Sequence, residues 1–239
     1  MNFKPYFLLF FSLLLISCSA SEEELIKSAK KELDNSQYEE AINHLNKAIS
    51  INEKNPESLN MRGVAYFQQE NYKQAINDFK SSISLDSTNY KPYYNKGNSH
   101  LNLKEFEKAL IEYNKAIELL PNNADLYINR AIVLFELKQF EAAITDNNFA
   151  IKLAPGNYLP YLNKAKTLVQ IGKFNEAEEI LSPMAKNNID LGEIYYWLAF
   201  VQINTDKAQL GCDNLIKAKN RGFEAADEAI KKFCQKENL

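Results

Sequence analysis

Residues 56–123 contain two consecutive segments of equal length, PESLNMRGVAYFQQENYKQAINDFKSSISLDSTN at 56–89 and YKPYYNKGNSHLNLKEFEKALIEYNKAIELLPNN at 90–123. Small and large side chains occupy corresponding positions in the two segments, 34 residues apart. Self-similarity of this length indicates a stack of supersecondary units, because each unit can bury its apolar face only against its neighbours. The pattern within one unit therefore decides the fold.

Three series of small residues recur at the same interval along most of the chain. They are Ala29, Gly63, Gly97, Ala131, Ala165 and Ala199; Ala41, Ala75, Ala109, Ala143, Ala177 and Gly211; and Ala48, Ser82, Ala116, Ala150 and Ala218, with Met184 as the only departure. Two series of mostly aromatic residues keep the same register: Leu59, Tyr93, Tyr127, Tyr161 and Tyr195, and Tyr38, Tyr72, Phe106, Phe140 and Phe174. Small residues allow two helices to approach closely, and an aromatic side chain fills the neighbouring groove. The pattern predicts antiparallel helical hairpins that stack on one another.

The interval, the offsets of small and aromatic residues, and the unit-ending Pro121 and Pro155 resemble the tetratricopeptide repeat family. The resemblance implies an all-α, right-handed α-solenoid. Low glycine and proline contents, seven of each in 239 residues, favour helices in the same way. We count six units, which begin near Glu22, Pro56, Tyr90, Ala124, Tyr158 and Gly192.

The last two units depart from the pattern. Pro183 falls inside the expected second helix of the fifth unit and is predicted to kink or shorten it. The first helix of the sixth unit is apolar nearly all round, so that Ile194 to Val201 is expected to lie beneath a cap, with a dimer interface as the alternative. The amphipathic stretch after Gly222 is interpreted as that capping helix, or alternatively as a partner-binding tail.

The N-terminus has the layout of a signal peptide. Lys4 precedes an apolar run at 7–16 that only Ser12 interrupts, which is shorter than a membrane-spanning helix requires. The following residues, Leu15-Ile16-Ser17-Cys18, resemble the bacterial lipobox, and this resemblance implies that Cys18 is lipidated and becomes the mature N-terminus. An ordinary secretion signal with a chance cysteine is the alternative. Several acyl chains would anchor the protein stably, as one would not.

Composition and motifs argue against catalysis and nucleic-acid binding. The formal net charge of −3 provides no basic field for phosphates. No catalytic motif accompanies His44 or His100, and no cysteine or histidine spacing indicates a metal site, so we expect no catalytic residues, metal, cofactor or small-molecule substrate.

Cys212 and Cys234 should begin one helix and end its antiparallel neighbour, which predicts a disulfide in an exported protein; two free thiols are the alternative.

The family resemblance also implies a binding surface, since the first helices of successive units line a concave groove in that family. Residues five positions after three unit starts form an asparagine ladder, Asn95, Asn129 and Asn163, which we predict to pair with the backbone of an extended peptide. Lys91, Tyr94 and Asn98 are predicted to line the same groove. The alternative is that the asparagines hold neighbouring helices together or face water. The lysine, arginine and asparagine set that clamps a terminal carboxylate in some relatives is missing.

We therefore expect a lipoprotein signal peptide at 1–17, a lipidated tether at 18–21, a six-repeat solenoid at 22–222 and a capping helix at 223–239. The predicted function is a protein-interaction scaffold on a bacterial envelope membrane, predicted to be the outer membrane facing the periplasm, with surface display as the alternative. The alternative is a regulatory or delivery subunit of an envelope enzyme complex, in which another chain performs the chemistry.

Overall fold

In a computed structural model, which describes residues 20–186 and 191–234, the chain forms helical hairpins joined by short turns. The first helices of the six pairs are α1 (Glu22–Asp34), α3 (Pro56–Gln68), α5 (Tyr90–Asn102), α7 (Ala124–Glu136), α9 (Leu159–Gln170) and α11 (Gly192–Ile203). The second helices are α2 (Tyr38–Ile51), α4 (Tyr72–Leu85), α6 (Phe106–Leu119), α8 (Phe140–Leu153), α10 (Phe174–Lys186) and α12 (Ala208–Asn220), and α13 (Ala225–Phe233) follows them. The described residues contain no strand, and each helix packs on the next, so the predicted all-α solenoid is confirmed.

Capping side chains start most of the first helices at the same repeat position. Asn55, Asn89 and Asn123 each accept a hydrogen bond from a backbone N–H in the first turn, and Ser21 forms a reciprocal capping box with Glu24. These bonds satisfy N–H groups that have no partner inside a helix. The sixth unit has Leu191 at this position and no side-chain cap.

The turn inside each hairpin requires one residue in the left-handed region. Ser36, Glu70, Lys104, Lys138 and Asp206 adopt φ values of 58° to 60°, and Gly172 adopts 77° at the same repeat position. Only glycine enters this region without steric cost. The turn geometry is thus imposed by hairpin packing, not by local preference.

The small-residue series forms the contacts between helices. Ala41, Ala75 and Ala109 have no exposed surface, and neither do their equivalents in units four and five. Tyr93, Tyr127 and Tyr195 are buried beside small residues of the third series, and Tyr127 donates a hydrogen bond from its hydroxyl to the Pro121 carbonyl at 2.9 Å. Tyr161 bonds the Pro155 carbonyl in the same way, so these two tyrosines anchor the loops that precede their own units.

The fifth and sixth units pack as one apolar core despite their irregular sequences. Helix α10 continues through Pro183 to Lys186, so the helix is not interrupted at the proline that is predicted to kink or shorten it. Ile194, Leu198 and Val201 are buried against α9 and α10. Their burial within the chain agrees with the expectation that this face is not left for a dimer.

Helix α13 covers the end of the last hairpin. Ala226 packs with Tyr195 and Ala218, and Ala229 packs with Ala199 and Leu215. A disulfide joins Cys212 in α12 to Cys234 at the end of α13, with Cα atoms 5.8 Å apart. The apolar face of α13 is therefore occupied by this chain.

Candidate functional site

The first helices lie side by side and form a groove, which we call the first-helix groove. Its widest described part lies between α3, α5 and α7, where a cavity of about 310 Å³ is lined by Lys91, Tyr94 and Asn95 together with Asn60 and Leu126. The structure thus brings three of the predicted binding residues to one cavity. One lysine and one aspartate, Lys91 and Asp125, contribute the charges there, so neither sign dominates.

The asparagine ladder is used largely within the protein. Asn95 donates from Nδ2 to Asn60 Oδ1 at 3.2 Å, and Asn129 donates from Nδ2 to both Asn98 Oδ1 and the Tyr94 hydroxyl at 3.0 Å. These bonds join neighbouring units. The expectation of three equivalent peptide-binding amides is therefore corrected, because the first two amides already have partners and hold adjacent helices together.

A buried tyrosine fixes the floor of this hydrogen-bond network. Tyr113 has no exposed surface and donates from its hydroxyl to Asn98 Oδ1 at 2.6 Å. Burial, with a smaller contribution from nearby Tyr94, raises the pKa of the Tyr113 hydroxyl far above its usual range. Tyr113 consequently stays neutral and a donor, which leaves Asn98 as the acceptor for Asn129.

Asn163 differs from the other two members of the ladder. Among the described residues its side-chain amide has no hydrogen-bond partner, although its backbone carbonyl accepts from Thr167 Oγ1 at 2.7 Å. The amide lines a smaller cavity of about 80 Å³ between α7 and α9, beside Ile132 and Phe135. Asn163 is therefore the ladder asparagine that is free to meet a ligand.

The groove becomes aromatic beyond Asn163. Lys166 Nζ lies 5.7 Å from the centre of the Trp197 ring and 2.9 Å from Glu193 Oε1. Trp197 Nε1 donates to the same carboxylate oxygen at 3.3 Å, and the centre of the half-buried Phe200 ring lies 6.2 Å from the centre of the Trp197 ring. No sequence motif predicts this cluster, although the single tryptophan of the chain marks it.

A histidine–carboxylate pair, which no sequence motif predicts, connects α5 with the start of α6. The buried His100 places Nδ1 2.6 Å from Glu105 Oε2, and Lys108 Nζ lies 3.0 Å from the other oxygen. The hydrogen bond from Lys108, and then that from His100, lowers the pKa of Glu105. These bonds connect the end of α5 with the start of α6, so we interpret the pair as a structural link.

The other predicted sites divide between described and undescribed residues. Cys18 and the signal peptide lie outside the described residues. Residues 20–186 and 191–234 contain no group of histidine, cysteine and acidic side chains that could hold a metal ion. In the same ranges no helix is long and apolar enough to cross a membrane.

Comparison with protein families identifies the repeat. Models described as tetratricopeptide repeat match residues 56–89, 90–123 and 112–145, and a model described as TPR repeat matches residues 29–70. The matched register agrees with the unit starts at Pro56 and Tyr90. No curated protein matches the chain by sequence.

Solved structures show the same fold at low sequence identity. YrrB, described as a TPR protein with an unusual peptide-binding site, is 19% identical over 78% of this chain and 97% of its own, with a TM-score of 0.65. PilF of Pseudomonas aeruginosa is 16% identical over 83% and 90%, with a TM-score of 0.72. The hetero-tetramer Cut9–Hcn1 of APC/C contains a chain that is 14% identical over 90% and 43%, with a TM-score of 0.75.

The family matches cover residues 29–145, which include the second and third units and most of the first and fourth, and the solved structures share the stacked helical architecture. Such repeats build protein-interaction scaffolds. Over residues 29–145 the chain is a tetratricopeptide repeat protein.

Proposed function

We propose that the chain is a scaffold that binds an extended segment of a partner protein in the first-helix groove while a lipid on Cys18 tethers it to a bacterial envelope membrane. The observation that carries the binding proposal is the lining of the groove. Its polar part offers Lys91 and Tyr94, its middle offers the Asn163 amide, and its far end offers the Trp197 ring.

This arrangement suits an extended peptide with one large apolar side chain. An unpaired amide such as that of Asn163 can donate to and accept from a peptide backbone of any sequence. An aromatic ring supplies contact area with little loss of side-chain freedom and acts as an anchor. The known peptide-binding site of YrrB, a protein of the same fold, supports a peptide ligand for this chain.

The groove proposal is tested by crosslinking and pull-down from envelope membranes with two double variants. Lys91→Glu with Asn163→Ala changes the groove at residues that make no side-chain hydrogen bond or ion pair among the described residues. Lys47→Glu with Asn148→Ala is the matched control, because both residues are exposed on second helices. We expect the groove variant alone to lose a reproducible partner.

The fluorescence of Trp197 gives a second measurement on the same site. Because it is the only tryptophan, a peptide taken from the captured partner should shift its emission on binding. A partner that both double variants retain, with unchanged emission, would show that the groove is not the binding surface.

Membrane tethering rests on the lipobox resemblance and has its own test. Metabolic labelling with a fatty-acid analogue should mark the protein, and Cys18→Ala should remove the label and release the protein from the membrane fraction. The placement at the outer membrane is part of the proposal and is tested by separating the two membranes. A labelled Cys18→Ala variant would refute lipidation at this cysteine.

A further inference from the structure

The first and second helices of units two and four are joined by the same hydrogen-bonded set, which we call a rung. In unit two Arg62 donates from Nε and Nη2 to Asp78 at 2.7 and 2.8 Å, and from Nη1 to Asn46 of the preceding unit at 2.8 Å. In unit four Arg130, Asp146 and Asn114 repeat these bonds at 2.7, 2.7 and 2.8 Å. A guanidinium can satisfy both partners because its donors form a planar fork. Each rung therefore joins adjacent units through one arginine.

Unit three has an open rung at the same repeat position. Lys96 replaces the arginine and bonds Glu112 at 2.8 Å, while Lys80 of the preceding unit replaces the asparagine. A lysine in place of the asparagine offers no acceptor, and two ammonium groups repel each other. Lys80 is exposed and has no ion pair among the described residues. One positive charge is thus left without compensation.

A cleft opens where the rung is incomplete. It has a volume of about 480 Å³ and lies between the second helices α4 and α6, with Ile83 and Tyr93 among its apolar lining residues. Ile111 lines the same cleft and is 65% exposed. The equivalent residues of the other units are all polar: Asn43, Asn77, Thr145, Glu179 and Asp213. Only unit three exposes an aliphatic side chain at this repeat position.

These two departures from the repeat occur side by side and have one common explanation. Neither helps the solenoid, because an uncompensated lysine and an exposed isoleucine contribute no packing within the chain. A ligand with an acidic and an aliphatic group would use both. The lysines of the cleft, Lys80, Lys96 and Lys115, outnumber its acids, Glu112 and Glu118, although the whole chain is negative.

We propose that the cleft between α4 and α6 is a second docking site, which binds a segment of another protein that carries a carboxylate side chain next to an aliphatic one. The carboxylate binds between Lys80 and Lys96, and the aliphatic side chain packs on Ile111 and Tyr93. The cleft is bounded by α4 and α6, with Tyr93 and Lys96 from α5, and none of its lining residues lines the two cavities of the first-helix groove, so the two sites are separate. The scaffold can then hold two partners at once.

The test uses three capped peptides and the methyl NMR signal of Ile111 in the full chain. The peptides are Gly-Ser-Leu-Glu-Leu-Ser-Gly and its Gln and Lys versions. We expect the Glu peptide to shift the Ile111 signal and to bind about twofold to fivefold more tightly than the Gln peptide, since an exposed ion pair contributes modestly. Binding of the Glu peptide should weaken as salt is raised.

Two variants connect the binding to the cleft. Lys80→Asn with Lys96→Arg and Glu112→Asp copies the closed rungs of units two and four, so the variant should fold while losing the peptide-induced shift. Ile111→Thr copies unit four and should weaken binding of all three peptides. The groove variant Asn163→Ala should bind as the unaltered chain does, which separates this site from the first-helix groove.

Each contrary result overturns the proposal. The absence of any shift with the Glu peptide at millimolar concentration, equal binding of the Glu and Lys peptides, or full binding by the closed-rung variant would each show that the cleft does not recognise this chemistry. Circular dichroism shows whether the closed-rung variant is folded. If that variant does not fold, the Ile111→Thr result and the peptide series decide the question alone.

Discussion

Replacing Gly63 by alanine should destabilise the protein, and a second substitution at Phe79 should reverse the effect. An alanine Cβ at position 63 would lie 2.6 Å from Phe79 Cε1 and 2.8 Å from Cδ1. Carbon atoms pack at about 3.5–4.0 Å, so the fully buried ring would have to move by roughly 1 Å. Gly97 faces the Tyr113 ring in the same way, at 2.8 Å.

The chain itself contains the compensated alternative. Units one, five and six have alanine in place of Gly63 and leucine in place of Phe79. These pairs are Ala29 with Leu45, Ala165 with Leu181 and Ala199 with Leu215. All six side chains are buried, so an alanine–leucine pair fills the same space that a glycine–aromatic pair fills in units two and three.

These contacts set the magnitude of the effect. Overpacking costs about 1–3 kcal/mol, and alanine regains about 1 kcal/mol of helix propensity over glycine, so Gly63→Ala should lose about 1 kcal/mol. In a Phe79→Leu background the clash is absent and the same substitution should gain about 1 kcal/mol. The expected coupling energy is therefore about 2 kcal/mol, which is within the range of contacting residues.

A double-mutant cycle measured by urea unfolding, followed by circular dichroism, tests this reasoning. Repeat arrays can unfold in stages, so the four proteins must share one transition with the same denaturant dependence. Ala165→Gly is the control. It should cost about 1 kcal/mol, because Ala165 packs against Leu181 and no aromatic ring is present to fill the space that the methyl group leaves. A Gly63→Ala effect of the same sign and size in both backgrounds would refute the steric explanation.

Three further predictions concern the cap, a buried hydroxyl and the turns. Cys212→Ser should lower the free energy of unfolding by about 3 kcal/mol, the chain-entropy value for a loop closed across 22 residues, and should make Cys234 accessible to thiol reagents; unchanged stability would mean that the cap does not depend on the bond. Above about pH 10 an exposed tyrosine in the unfolded chain loses its proton, whereas Tyr113 with its raised pKa keeps it, so stability falls as pH rises. The slope should be about 1.4 kcal/mol per pH unit steeper than in Tyr113→Phe, and identical pH profiles of unfolding would contradict this. Gly172→Ala should cost about 1 kcal/mol and Lys138→Gly should gain up to about 1 kcal/mol, because both residues have positive φ; thermal unfolding that shows equal effects would exclude turn strain.

The hairpin architecture could be predicted from sequence because it depends on residue size at fixed intervals. Ala41 and its equivalents allow two helices to approach closely, and they are buried as expected. The helix starts could have been predicted more sharply, since Asn55, Asn89, Asn123 and Asn157 recur every 34 residues and accept hydrogen bonds from the backbone of the following helix. The course of α10 at Pro183 could not be predicted from sequence. Proline removes one backbone N–H donor from the helix, but packing against neighbouring helices can hold the helix together there.

The candidate site was harder to predict because repeat position does not reveal side-chain partners. Asn95, Asn129 and Asn163 share one position, yet only Asn163 has a free amide among the described residues. The difference comes from other residues: Asn60 and Asn98 accept from the first two, whereas no described side chain does so for the third. Such pairing depends on which rotamers the neighbouring helices allow, and it becomes visible only in three dimensions.

Departures from the repeat fall into two classes, and the distinction separates structural from functional residues in this chain. At Gly63 a departure from alanine is matched by a larger partner, Phe79, so the packing is preserved and no function is implied. At Lys80 and Ile111 the departures have no such match, and they leave a charge and an aliphatic surface exposed. In a repeat protein each residue can be compared with its equivalents in the other units of the same chain. A departure that no neighbouring residue compensates is therefore evidence for a ligand that supplies the missing contact. By this criterion the cleft between α4 and α6 has a stronger claim to a specific partner than the asparagine ladder, whose first two members are already satisfied within the fold.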